Sequence, residues 1–171
     1  MEALKQFIKD VEGFPIEGVI FRDITPLLSD YAVFQRAVDE MVILMDENFK
    51  TDLVAGIEAR GFIVGAAMAS VNGNGFVPIR KIGKLPPPTI SLASVKEYGE
   101  DIIEVKPNEM AVKDIVIVDD VLATGGTLKA AEELLTKAGY NVLGAITLID
   151  LTYLHGDIQI GGKNVLSLIK Y

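Results

Sequence analysis

Residues 114–139 read DIVIVDDVLATGGTLKAAEELLTKAG. An apolar run, Ile115 to Val118, ends in two adjacent carboxylates, Asp119 and Asp120. A short loop with Gly125 and Gly126 follows, and apolar residues then return at helical spacing as far as Gly139. A continuous Val/Ile run without polar alternation marks a strand covered on both faces, as in parallel sheets. Gly139 stands where a helix would close on a left-handed residue. Strand, loop and helix in this order form the unit from which α/β folds are built.

The same unit recurs outward. LVAGI (53–57) and GFVPIR (75–80) read as strands on either side of a helix, RGFIVGAAMASV (60–71), entered through a loop at Glu58–Arg60. NVLGAITLID (141–150) and NVLSLI (164–169) are further strands. Residues 31–49 place Phe34, Ala37, Val38, Met41, Leu44 and Met45 at helical spacing. A short amphipathic helix is expected at about 2–9, and EGFPIEGVIFRDITPLL (12–28), rich in Pro and Gly, reads as an irregular arm. KIGKLPPPT (81–89) reads as an exposed loop, because three consecutive prolines exclude helix and ladder pairing. ISLASV (90–95) and DIIEV (101–105) read as the arms of a β-excursion around KEYGE (96–100). The expectation is one α/β domain over 1–171, a mostly parallel sheet flanked by helices. Ligands of such sheets bind outside the carboxyl ends of the strands, here Ile57–Arg60, Arg80–Lys84 and Asp119–Thr127.

Composition removes several function classes. Half of the 171 residues are apolar and 23% are charged, which suits a globular chain. The net charge of −8 argues against nucleic acid as a partner. No uninterrupted apolar run reaches the roughly 18 residues of a membrane span, and the N-terminus lacks a signal-peptide core, so the cytoplasm is the expected location. Without cysteine there is no disulfide, thiolate nucleophile or zinc finger. His155 is the only histidine, which excludes a multi-histidine metal centre, and it is expected to be structural. The four arginines are Arg22, Arg36, Arg60 and Arg80, and three of them lie in or beside Gly-containing or turn-like segments. An acidic protein that handles an anion must concentrate its few cations in this way.

At the end of the 114–118 strand, alternation sends Asp119 and Asp120 to opposite sides. One carboxylate can then orient the loop backbone while the other accepts hydrogen bonds from vicinal hydroxyls of a ligand. Beyond them ATGGT offers backbone N–H groups, two hydroxyls and a helix N-terminus, an anion site. Paired acids beside a phosphate cradle suggest a sugar phosphate. The loop has no Walker-type lysine after its glycines, and a Rossmann G-x-G-x-x-G is absent. Either acid pair or glycine pair alone would be only a loop cap or a turn.

VIVDDVLATGGT (116–127) resembles the phosphoribosyl-diphosphate (PRPP) motif of the type I phosphoribosyltransferases. FPIEGVIFRDITPLL (14–28), GIEARGFIVGAAMA (56–69), RKIGKLP (80–86) and EYG (97–99) resemble the hood, diphosphate loop and flexible loop of the adenine-specific branch. The resemblance runs from about residue 10 to 155. It implies the type I fold, with a small hood from about 10–28 and the segment after about 150, and a flexible β-loop. It implies formation of AMP and diphosphate from adenine and PRPP, in purine salvage. Asp119 and Asp120 would contact the ribose hydroxyls, and Ala123, Thr124, Gly125, Gly126 and Thr127 the 5′-phosphate. Glu58, Ala59 and Arg60 would form the diphosphate loop, with a cis peptide at Glu58–Ala59. Arg80, Lys81 and Lys84 would reach the diphosphate from the flexible loop, Arg80 across a homodimer interface. Val19, Ile20, Phe21 and Arg22 would line one side of the base and Leu151 the other. Glu97 would be the acid/base for the purine N7 proton, and Arg60 and Arg80 would assist departure of diphosphate. Mg2+ would be held mainly by the substrate's own oxygens and water, which magnesium prefers to a protein cage.

Departures from the family pattern are Ser94 and Lys96 before EYG, the extra Pro87, and Asp157 after LHG. They surround the loop and hood. They leave open transfer to hypoxanthine, guanine or xanthine instead, or a non-catalytic sensor of PRPP or nucleotides.

Overall fold

The computed structural model describes residues 2–96, 99–109 and 111–171. In chain order the elements are α1 (Glu2–Lys5), β1 (Lys9–Glu12), β2 (Ile20–Asp23), α2 (Thr25–Ser29), α3 (Tyr31–Asn48), β3 (Leu53–Ile57), α4 (Arg60–Asn72), β4 (Gly75–Lys81), β5 (Ile90–Lys96) and β6 (Gly99–Val105). There follow β7 (Asp114–Leu122), α5 (Gly126–Lys137), β8 (Asn141–Asp150), a 3-10 turn at Thr152–Leu154, β9 (Gln159–Ile160), β10 (Lys163–Asn164) and β11 (Leu166–Lys170).

Seven strands form the main sheet in the order β11-β8-β7-β3-β4-β6-β5. The pairs from β11 to β4 are parallel. The β5–β6 excursion joins antiparallel at one edge. α3 and α4 cover one face, packing Met41, Met45, Val64 and Met68 against Val116 and Val118. α5 covers the other, packing Leu128, Ala131, Leu134 and Leu135 against Ile115 and Ile117. Consecutive residues of β7 thus enter opposite cores, which is why the run carries no polar alternation. α5 closes on Gly139 at φ +87°, with Gly139 N–H bonded to Thr136 O at 3.1 Å and Tyr140 N–H to Leu135 O at 3.0 Å. This is the double bond of a Schellman cap.

The N-terminal segment departs from the sequence reading. The expected helix at 2–9 stops at Lys5, and Lys9–Glu12 instead becomes a strand. The arm expected to be irregular holds β2, paired antiparallel with β1, and the five-residue α2. Gly13 at φ +70° and Gly18 at φ +87° turn the chain between the two strands. Strands of four residues beside Pro and Gly are too short to show their period. Among the described residues no helix is long and apolar enough to cross a membrane.

Candidate active site

The chain leaves β3 for β4 on one side, then returns to build β7, β8 and β11 on the other. The carboxyl ends of β3 and β7 therefore meet at a topological switch point, where α/β sheets open a crevice. α4 starts from β3 here and α5 from β7.

Glycine lets α4 approach closely. A Cβ on Gly61 would lie 2.8 Å from Asp119 Oδ1 and 3.0 Å from Val118 O. Arg60, the first residue of α4, places Nε 2.8 Å from Asp120 Oδ2 and its guanidinium 4.7 Å above the Phe21 ring. The pair is close but not aligned as a hydrogen bond. Arg60 Nη1 and Asp120 Oδ2 are both buried without a hydrogen-bond partner among the described residues. Such groups cost free energy unless a ligand satisfies them.

Asp119 Oδ1 accepts the backbone N–H of Asp120 at 2.9 Å. One acid thus binds backbone and the other faces Arg60, as alternation suggested. Their separation is incomplete. Burial pushes the Asp119 carboxyl well above its ordinary range, and the neighbouring Asp120 charge adds to this. Burial also raises Asp120, while Arg60 pulls it back down.

After β7, Ala123 and Thr124 lead to Gly125, whose φ of +80° favours glycine. A side chain at Gly125 would meet Ile158 at 3.0 Å. α5 begins at Gly126 and Thr127 with no side-chain cap, which leaves the donors of its first turn without one.

The β3–α4 loop has the cis peptide Glu58–Ala59. Glu58 Oε2 accepts the Lys81 N–H at 2.9 Å and faces Arg80 Nε at 3.3 Å. The Lys81 N–H first, then Arg80 and Lys84, hold the Glu58 carboxyl below its usual range. Arg80 also donates to Lys84 O at 3.2 Å. Arg80 is thus held against Glu58 of its own chain. Glu97 lies outside the described residues.

A cavity of about 670 Å3 opens beside Arg60 and Ala123. Its wall includes all five expected base residues, Val19, Ile20, Phe21, Arg22 and Leu151, together with Arg60 and Ala123. Tyr153 and Leu154, which the sequence reading did not single out, also line it, with Pro15, Gly18 and Val121. The signal for Tyr153 and Leu154 was adjacency to Leu151. Arg22 does not pair with its neighbour Asp23. It forms an ion pair with Asp10 and stacks 3.9 Å from the Tyr171 ring centroid. Asp23 instead accepts from Thr25 N and Oγ1 at 2.9 and 2.6 Å. Glu104, also missed, is 2% exposed and accepts the N–H groups of Lys84 and Leu85, both at 2.8 Å. It anchors the root of the 81–89 loop. His155 is half-buried, with Nε2 2.8 Å from Asp150 Oδ1.

A profile described as "Phosphoribosyl transferase domain" matches residues 31–169. An adenine phosphoribosyltransferase of Thermotoga neapolitana is 47% identical over 172 residues, covering 98% of this chain and 99% of that protein. One from Methylobacterium nodulans is 46% identical over 166 residues, covering 96% and 91%. The chain belongs to the adenine phosphoribosyltransferase family. Solved structures of adenine phosphoribosyltransferases superpose over nearly the whole chain. That from Thermoanaerobacter pseudethanolicus has a TM-score of 0.89 at 41% identity and covers 99% of each chain. The Saccharomyces cerevisiae enzyme, complexed with an imino-altritol bisphosphate and adenine, has a TM-score of 0.86 at 34% identity, covering 98% of this chain and 96% of that one. Membership in the adenine phosphoribosyltransferases thus extends to the segments at both ends, which contribute walls of the cavity.

Proposed function

We propose that the protein transfers the 5-phosphoribosyl group of PRPP to adenine, forming AMP and diphosphate. The observation that carries this reading is a cavity lined by both the β2 and Leu151 walls and by Arg60 and Ala123. A base between the walls would sit beside an anchored sugar phosphate. The purine N9 lone pair forms the new bond to C1 of the ribose. The C1–oxygen bond breaks, and its electron pair leaves on diphosphate. Negative charge grows on the departing group, so cations and N–H donors placed there stabilise the transition state most.

Arg60, with an unspent buried Nη1, would bind diphosphate, and the guanidinium fork suits two phosphate oxygens at once. Asp119 and Asp120 would accept the ribose hydroxyls. Thr124 and Thr127, with the backbone of Ala123, Gly125 and Gly126, would hold the 5′-phosphate on the uncapped end of α5. Arg80, Lys81 and Lys84 would close over the diphosphate and exclude water. Arg80 would have to exchange Glu58 for the substrate, in this subunit or, in a homodimer, its partner. Glu97 would manage the N7 proton. Mg2+ would be held mainly by the substrate's own oxygens and water, and the hard Asp120 carboxylate, whose Oδ2 has no hydrogen-bond partner among the described residues, suits a hydrated cation nearby. When bound, the ion would neutralise diphosphate charge.

We place this activity in the cytoplasm, as a homodimer, in purine salvage. The test is a base panel: protein, PRPP and Mg2+ with adenine, hypoxanthine, guanine or xanthine, followed by chromatography. AMP from adenine is expected. Turnover only with the oxopurines would overturn the base assignment, and PRPP binding without turnover would make the protein a sensor. Light scattering that shows only monomer would exclude the trans role of Arg80.

A further inference from the structure

The cavity wall contains a cation that does not belong in a site for an amine. Adenine presents an exocyclic NH2, which needs an acceptor, whereas a 6-oxopurine presents an oxygen, which needs a donor. Arg22 is a donor on every nitrogen. Its side chain is only 10% exposed and its residue lines the cavity. Left to itself, the guanidinium would favour the oxopurine.

Asp10 and Tyr171, neither of them in the cavity wall, hold it from behind, and Tyr153 of the wall hydrogen-bonds it. β1 and β2 pair in a register that sets Asp10 directly opposite Arg22, and Asp10 Oδ1 takes Arg22 Nη1. The Arg22 guanidinium carbon lies over the Tyr171 ring, 3.9 Å from its centroid. Tyr171 is itself fixed, its N–H bonded to Asp150 O at 2.9 Å and its carbonyl accepting the Thr152 N–H at 3.1 Å. Arg22 Nε is buried without a hydrogen-bond partner, so the guanidinium is not held by a full set of hydrogen bonds. Its place depends on the carboxylate and the Tyr171 ring, with the Tyr153 side chain as a third partner.

We propose that Asp10 and Tyr171 determine base specificity, by holding the Arg22 guanidinium away from the position of the base's exocyclic group. They are positioning residues that act through Arg22 and need not touch the base. The inference rests on the proposed transferase reading and adds to it the device that separates aminopurine from oxopurine.

The test compares kcat/KM for adenine with kcat/KM for hypoxanthine in the parent, Asp10→Asn, Tyr171→Leu and the double variant. Asp10→Glu serves as the conservative control. The adenine-to-hypoxanthine ratio is expected to fall at least about tenfold in the double variant, since one mismatched buried polar group discriminates on that scale or beyond. The KM for PRPP should stay within about twofold, and Asp10→Glu should keep most of the ratio. Adding Arg22→Met to the double variant should restore preference for adenine. A general loss of packing would lower both bases alike and would not be reversed by removing Arg22. A ratio unmoved in the double variant, or not restored by Arg22→Met, overturns the proposal. Asp10 is 51% exposed, so Asp10→Asn alone carries the same test if the double variant does not fold. A parent that turns over no adenine overturns the transferase reading and this proposal together. A parent active on adenine with an unmoved ratio overturns only the Arg22 device.

Discussion

Replacing Gly61 by alanine sets two effects of opposite sign against each other. Within a helix, alanine is favoured over glycine by about 1 kcal/mol. If propensity alone mattered, Gly61→Ala would stabilise the protein and leave the site alone. The added Cβ, however, would lie 2.8 Å from Asp119 Oδ1, 3.0 Å from Val118 O and 3.2 Å from Asp119 Cα, where ordinary contact begins at 3.4 Å. Two of these atoms are backbone of a central strand and cannot yield alone. α4 must therefore retreat by about half an ångström, at an overpacking cost of roughly 1–3 kcal/mol. The net loss of stability should be about 0–2 kcal/mol once the helix gain is set against it. The site should suffer more, because Arg60 precedes Gly61 and Asp119 receives the clash. A misplacement of about 1 Å can cost roughly a hundredfold in rate, so about tenfold in kcat/KM for PRPP is expected here. Initial rates of AMP formation against PRPP, with urea unfolding of the same samples, measure both quantities. Parent-like kcat/KM with unchanged or raised stability would refute the close approach and the role given to it.

Asp120→Asn removes the charge beside Arg60 and should raise the Kd for PRPP with Mg2+ at least about tenfold by calorimetry, the scale of one hydrogen bond to a charged group. Adenine affinity should change little, and equal PRPP affinity would remove Asp120 from the site. Glu97→Gln should lower kcat more than PRPP or adenine affinity, and parent-like turnover would exclude Glu97 as the proton carrier. His155 sits with Nδ1 against the Gly156 carbonyl and Nε2 against Asp150, and the Gly156 carbonyl, Asp150 and Asp157 raise its pKa above 6.5. The fold therefore binds this proton more tightly than the unfolded chain does. The resulting stability is full below about pH 6.5 and is lost as pH rises through the raised value. The urea midpoint should fall across that window, and His155→Gln should remove this component of the slope. Proton NMR of the single imidazole gives the check, and a titration midpoint at or below 6.5 would refute it.

What could be read from the sequence divides by the range of the interaction. β7 and α5 were legible because a strand buried on both faces and a helix with a glycine stop write their period into adjacent residues. The switch point followed from the same periods, and with it the meeting of Arg60 and Asp120. β1 and β2 were not legible, since four-residue strands beside Pro and Gly show no period. Without that hairpin nothing in the sequence sets Asp10 opposite Arg22, and nothing local brings Tyr171 to the same guanidinium. Glu104 was hidden for a related reason: its partners are backbone N–H groups 19 and 20 residues away. The motif residues are recognisable one by one. The residues that restrain them are chosen by topology, and any carboxylate or ring at the right register would serve. If Asp10 and Tyr171 hold Arg22 as proposed, base choice is written behind the cavity wall as well as in it. Two chains with the same Val19–Arg22 segment could differ in preference through position 10 or 171 alone.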